Sequence, residues 1–98
     1  MSVAEIILQQ MGGSRRLSLM VGATNFLSHE KEKAVSFRFK GNSKINYLKV
    51  TLNGRDTYDM EFGKVYGQKY TVVKKVEDVY NDSLKKIFED TTKLYLSF

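Results

Sequence analysis

From Ile45 to Phe62 the chain reads INYLKVTLNGRDTYDMEF, with runs rich in β-branched and aromatic residues on either side of Asn53-Gly54. Two such runs around Asn-Gly are a strong short-range hairpin signal. Side-chain alternation then decides the length of the connection. A two-residue loop would set Leu52 opposite Arg55, Val50 opposite Thr57 and Leu48 opposite Asp59, mixing apolar and polar positions on one face. An odd loop puts Leu48, Val50 and Leu52 on the same face as Tyr58, Met60 and Phe62, because a slip of one residue turns every side chain over. The spacing therefore predicts a bulged turn of three or five residues. The opposite face would hold Tyr47, Lys49 and Thr51 beside Asp59 and Glu61, a set able to form cross-strand charge pairs.

Elsewhere the periods alternate between helix and strand. Val3, Ile6, Ile7 and Met11 recur at helical spacing, Ser2-Val3-Ala4-Glu5 has the form of a capping box, and Gly12-Gly13 is a stop. Leu17, Leu19 and Val21 alternate with Arg16, Ser18 and Met20, which predicts a strand over Leu17–Val21, broken between Gly22 and Asn25. Phe26 and Leu27 read as loop residues anchored on the core, and HEKEK at 29–33 as a solvated charged loop. Val35, Phe37 and Phe39 alternate with Ser36, Arg38 and Lys40, a strand over 34–40. Gly41-Asn42-Ser43 and the stretch Gly63 to Gln68 read as turns, with a further strand over Tyr70–Val76. Leu84, Ile87, Phe88, Thr91, Leu94 and Tyr95 form one apolar stripe of a C-terminal helix, with Asn81 as its N-cap and the apolar end at Phe98 docked.

The connections are too short for parallel crossovers. The fold class expected is α+β: an antiparallel meander sheet of four to five strands flanked by an N-terminal and a C-terminal helix. At 98 residues this is a single domain, 1–98, with one modest core.

Composition narrows the chemistry. With no cysteine there is no disulfide framework, thiol nucleophile or cysteine zinc cluster. Proline is absent as well, which argues against a polyproline recognition segment. No run approaches the roughly eighteen apolar residues of a membrane span, and SVAEIILQQ lacks the basic start of a secretory signal. The expectation is a cytoplasmic protein with no membrane contact. Net charge is +5, from 16 Lys and Arg against 11 Asp and Glu. That bias attracts polyanions and also keeps a small domain soluble.

Catalytic candidates are sparse. His29 is the single histidine, with Glu30 and Glu32 nearby but no nucleophile indicated. Asp59 and Glu61 share a strand face and are the pair that could hold a hard cation, with Lys49 as the alternative partner. Gly12-Gly13-Ser14 follows a helix rather than opening one, so it makes no phosphate loop. No enzymatic activity, cofactor or metal is expected. A binding surface remains: Arg16, Arg38, Lys40, Lys49, Lys74 and Lys75, with Tyr47 among them, on one open sheet face. Cations that take phosphates and aromatics that stack bases are how open-sheet modules bind nucleic acid. Asp59 and Glu61 on the same face oppose that reading.

The glycine pair Gly12-Gly13, RRLSLMVGATNF at 15–26, INYLKVTLNGRDTYDMEFGKVYG at 45–67 and VYNDSLKKIFEDTTKLYLSF at 79–98 carry a resemblance. Together they resemble a family of small proteins of bacteriophages and other bacterial mobile elements. The resemblance implies a setting, the bacterial cytoplasm during phage or element activity, and no mechanism, so no functional residue carries over. In that setting a small chain without an active site acts by binding. One expectation is a partner of nucleic acid or nucleoprotein, met by the basic sheet face. The alternative is an anti-defence protein, such as a CRISPR-system inhibitor, or a host-takeover protein that docks on a host protein. The positive charge opposes DNA mimicry. An edge strand at Leu17–Val21 would also allow a homodimer.

Overall fold

Gly12 and Gly13 turn the chain between two helices, and their φ angles of 105° and 94° are open to glycine at little cost. The structure, a computed structural model, describes residues 3–94. Ser2 of the expected capping box, Tyr95 of the expected C-terminal stripe and Phe98, expected to be docked, lie outside the described residues. Helix α1 spans Val3–Gln10 and buries Ala4 and Ile7. The next element is α2, Ser14–Val21, not the strand that its alternation predicts. Leu17 and Val21 are buried one helical turn apart, while Leu19 is 73% exposed. Leu17 and Val21 fit both periods, because i and i+4 belong to each, and only Leu19 separates them. The decision comes from the end of the segment. Gly22 takes the left-handed conformation (φ 64°); its N–H donates to the Ser18 carbonyl at 3.1 Å and the Ala23 N–H to the Leu17 carbonyl at 3.3 Å, a helix C-cap.

Five strands follow: β1 Thr24–His29, β2 Ala34–Arg38, β3 Tyr47–Leu52, β4 Tyr58–Tyr66 and β5 Lys69–Val79. They pair antiparallel in sequence order, a five-stranded meander. The fold is α+β. β1 occupies residues expected to be a break and a loop. Asn25 at φ 55° and Phe26 lie where the register shifts between Thr24 and Leu27, and within this bulge Phe26 packs its ring 5.4 Å from that of Phe37. HEKEK closes β1 with His29 and makes a short 3₁₀ turn at Glu30–Glu32.

The central hairpin has the odd loop that its pattern requires. Leu52 pairs with Tyr58, Val50 with Met60 and Leu48 with Phe62, so five residues connect the strands. Of the expected turn Gly63 to Gln68, only Gly67 and Gln68 turn; Gly63 to Tyr66 continue β4, and Tyr66 pairs with Lys69. The last helix, α3, is Leu84–Thr92, entered through a 3₁₀ turn at Asn81–Ser83. Asn81 therefore lies inside that turn and is not the cap of α3. Thr92, rather than Thr91, is the buried threonine, and its hydroxyl donates to the Phe88 carbonyl at 2.7 Å.

All three helices contribute to a single core on one side of the sheet. Ile7, Met11, Leu17, Leu84 and Phe88 pack there with Val35, Phe37, Leu48, Val50, Met60 and Phe62. Phe88 is fully buried, within 6.5 Å of the rings of Phe37, Phe39 and Phe62. Helices on one face leave the other face of an antiparallel sheet to solvent. That side is open over β3–β5 but closed at β2, where Ala34 and Ser36 are each 1% exposed, and it is where the expected basic surface would lie.

Candidate nucleic-acid interface

Strand alternation and the register arrange the open face in rows across the sheet. The first row is Arg38 on β2, Tyr47 on β3 and Gly63 on β4. Tyr70 of β5 completes it by laying its ring over Gly63, where a Cβ would come within 2.3 Å of the ring. The Tyr47 and Tyr70 rings meet edge to face at 5.0 Å. The second row is Ser36, Lys49, Glu61 and Lys75. The third is Ala34, Thr51 and Asp59. Charge thus changes along the strands from basic and aromatic to mixed to acidic.

In the middle row the cations have carboxylates. Lys49 Nζ pairs with Glu32 of the 3₁₀ turn, and Lys75 Nζ lies 3.7 Å from Glu61. The hydrogen bond from Lys49, then its charge, holds the Glu32 carboxyl below its ordinary range. The same bond raises the Lys49 ammonium. Tyr70 donates its hydroxyl to Glu61 Oε2 at 2.7 Å. Partial burial, and then this hydrogen bond, push the Tyr70 phenol well above its usual value.

The expected surface is therefore divided. Tyr47, Arg38, Lys49 and Lys75 do share the open face. Arg16 does not: it is on α2, on the helix side of the molecule. Lys40 lies beyond the end of β2, its stem alongside Gly22, and its N–H bonds the Val21 carbonyl at 2.7 Å. Lys74 pairs with Phe62, a core residue, and so takes the helix side of β5, opposite to Lys75.

A different basic surface emerges at the end of the sheet where β2 and β4 finish and β3 and β5 begin. No acidic residue occurs between Glu32 and Asp56, or between Glu61 and Glu77. The meander folds these two stretches beside each other, gathering Arg38, Lys40, Lys44, Lys64 and Lys69 at that end. Hydrogen bonds fix the arrangement. Asn46 accepts from the Val65 N–H at 2.7 Å and donates to the Val65 carbonyl at 2.9 Å, and Lys64 donates to the Ser43 carbonyl at 3.0 Å. Asn42 holds the loop from the other side: it accepts from the Lys44 N–H at 2.8 Å and donates to the Thr92 carbonyl of α3 at 2.9 Å. Tyr66, 78% exposed, stands at the same end. Lys44, Lys64, Lys69, Tyr66 and Tyr70 escape a strand-by-strand reading. The signal that finds them is the pair of acid-free stretches, read together with the hairpin.

The other candidates resolve into structural partnerships. His29 Nε2 lies 2.8 Å from the Ser36 hydroxyl; Ser36 is 1% exposed and His29 half-buried, so the ring satisfies a buried hydroxyl. Asp59 accepts from the Asn53 side chain at 3.1 Å and the Asp78 N–H at 3.2 Å, whereas Glu61 is engaged by Tyr70 and Lys75. Among the described residues no three His, Cys, Asp or Glu side chains converge as metal ligands, and no helix is long and apolar enough to cross a membrane. Compared with models of known families, with curated proteins and with solved structures, the chain matches none.

Proposed function

We propose that this chain is a non-catalytic binding protein for single-stranded nucleic acid, and that the basic end of the sheet is its contact surface. The observation that carries the reading is the joining of two acid-free stretches beside half-buried Tyr47 and exposed Tyr70 and Tyr66. Arg38, Lys40, Lys44, Lys64 and Lys69 would neutralise phosphates. Tyr47, Tyr70 and Tyr66 would offer ring faces to unpaired bases, which stack regardless of sequence. Lys49 and Lys75, already paired with carboxylates, are secondary to this reading. The bacteriophage or mobile-element setting implied by the resemblance belongs to the same proposal.

Fluorescence anisotropy with labelled single- and double-stranded oligonucleotides, at about 50 and 200 mM salt, tests it. Binding should favour the single strand and weaken steeply with salt. Replacing Arg38, Lys44 and Lys69 by Gln should reduce the salt slope by about 2, given roughly 0.7 per neutralised phosphate on single strands. Tyr66→Ala should weaken binding by about 1–3 kcal/mol if a base stacks there. No binding at low salt overturns the proposal.

A second reading, docking on a host protein as an anti-defence or takeover factor, draws support from the exposed Tyr66, Val72 and Val73 of the β4–β5 hairpin. It predicts that polar substitutions of these residues, and not the three glutamines, abolish capture of the host target.

A further inference from the structure

β5 is an outer strand of the sheet, and at 11 residues it is longer than β1, the 6-residue strand at the opposite edge. Its residues 69–75 are all exposed, and no described strand pairs with its outer side. A free edge of this kind is a template for another strand. The order of charges along it indicates which one. Lys74-Lys75-Val76-Glu77-Asp78 reads as two cations, a valine and two anions. Reversed, the segment is its own electrostatic complement.

We propose that β5 pairs antiparallel with β5 of a second copy of this chain, about a two-fold axis at Val76. In an antiparallel ladder, opposed pairs alternate between hydrogen-bonded and non-hydrogen-bonded. A two-fold axis cannot exchange the two kinds, so it must pass through a residue facing its own copy. Centring on Val72 sets Lys69 against Lys75, and centring on Lys74, Lys75 or Glu77 sets a charge against itself. Val73 as centre brings one kind of opposite pair together, Lys69 with Glu77. Val76 brings two, Lys75 with Glu77 and Lys74 with Asp78, each made twice.

The faces agree with this register. Lys75 and Glu77 both line a shallow depression on the open face, together with Lys49 and Glu61. Directly opposed residues of a ladder point to the same side, so Lys75 of one copy meets Glu77 of the other on that face. Glu77 has no ion-pair partner among the described residues, and Lys75 has only the 3.7 Å approach to Glu61. Asp78 is already held by Arg55 at 3.0 Å, which makes Lys75 with Glu77 the principal pair. The left-handed Asp78 (φ 56°) and the register shift before Gly63 bound the regular part of the edge. The pairing is thus short, and the dimer concentration-dependent. It also sets the basic end of one sheet beside the acidic end of the other.

Sedimentation equilibrium across a range of protein concentrations tests the proposal at about 0.1 and 1 M salt, where the screening length falls from about 10 to 3 Å. The expected result is a dimer at low salt that dissociates at high salt. Glu77→Lys and Lys75→Glu should each be monomeric alone and should form a heterodimer when mixed, because each strand then supplies the charge that the other has lost. Glu77→Gln, a milder change at an exposed position, should weaken the dimer without abolishing it. Circular dichroism verifies the fold of each variant. A wild-type monomer at every concentration overturns the proposal, as does a dimer that persists in Glu77→Lys.

Discussion

Tyr47 and Tyr70 meet edge to face across Gly63, with ring centroids 5.0 Å apart. A glycine inside a strand lacks a side chain to pack, and here the ring from the neighbouring strand covers it. In Gly63→Ala the new methyl would stand within 2.6 Å of three Tyr70 atoms. Tyr70 would have to leave, losing its bond to Glu61. We expect a loss of about 1–3 kcal/mol, the range for overpacking, measured by urea denaturation. If the aromatic row binds bases, single-strand affinity should fall in the same variant.

The assignment of α2 as a helix is tested by two leucines. In a strand Leu17 and Leu19 would share a face, but in α2 Leu17 is fully buried and Leu19 is 73% exposed. Leu17→Ala should cost about 2–5 kcal/mol, as for other buried leucines. Leu19→Glu should stay within about 0.5 kcal/mol of wild type. Equal and large losses at both positions would contradict the helix.

Asn53 organises the five-residue turn. Its Oδ1 accepts from the Arg55 N–H at 2.8 Å and the Thr57 N–H at 3.3 Å, and its Nδ2 donates to Thr57 Oγ1 at 2.8 Å. The same Nδ2 lies 3.1 Å from Asp59 Oδ1 and 3.3 Å from Asp78 Oδ1. Asn53→Ala should cost about 1–2 kcal/mol, the net worth of one or two such bonds. Asn53→Asp should cost more at neutral pH, because it adds a carboxylate beside two others. Part of that loss should return on acidification, read from the thermal midpoint against pH.

The Glu32–Lys49 pair gives a pH signature with a definite sign. The folded value of Glu32 is depressed, chiefly by its hydrogen bond from Lys49. Its stabilisation is therefore present above the unfolded glutamate value and is lost as pH falls through the folded one. Lys49 is raised, so its share is lost only as pH rises through that raised value. Glu32→Gln should lower the midpoint at neutral pH, and the gap to wild type should close in acid. The effect is small, because the Glu32 side chain is 58% exposed. A gap that is unchanged in acid would rule the pair out as its cause.

Local patterns predicted much of this molecule where one face is buried. The odd loop after Leu52 follows from matching Leu48, Val50 and Leu52 to Tyr58, Met60 and Phe62, a constraint contained in the two strands themselves. Leu84 and Phe88 likewise identify α3 by their spacing. The patterns failed where a segment was short enough to satisfy two periods, as at Leu17–Val21, or where a glycine reads as a turn and instead lies under a ring, as at Gly63.

Alternation and short connections are properties of the chain alone, and they set the class, α+β with an antiparallel meander, and the faces of β2, β3 and β4. Which charges stand together came from packing between elements. Register set Lys75 beside Glu61 and turned Lys74 to the helix side, the 3₁₀ turn brought Glu32 to Lys49, and the helical ending at Gly22 put Arg16 on α2. The β3–β4 hairpin also brought Lys44 and Lys64 to one end of the sheet from two separate acid-free stretches. A charge has no period of its own to read. Its partner is chosen by the strand that packs beside it, and that choice is made by the buried face.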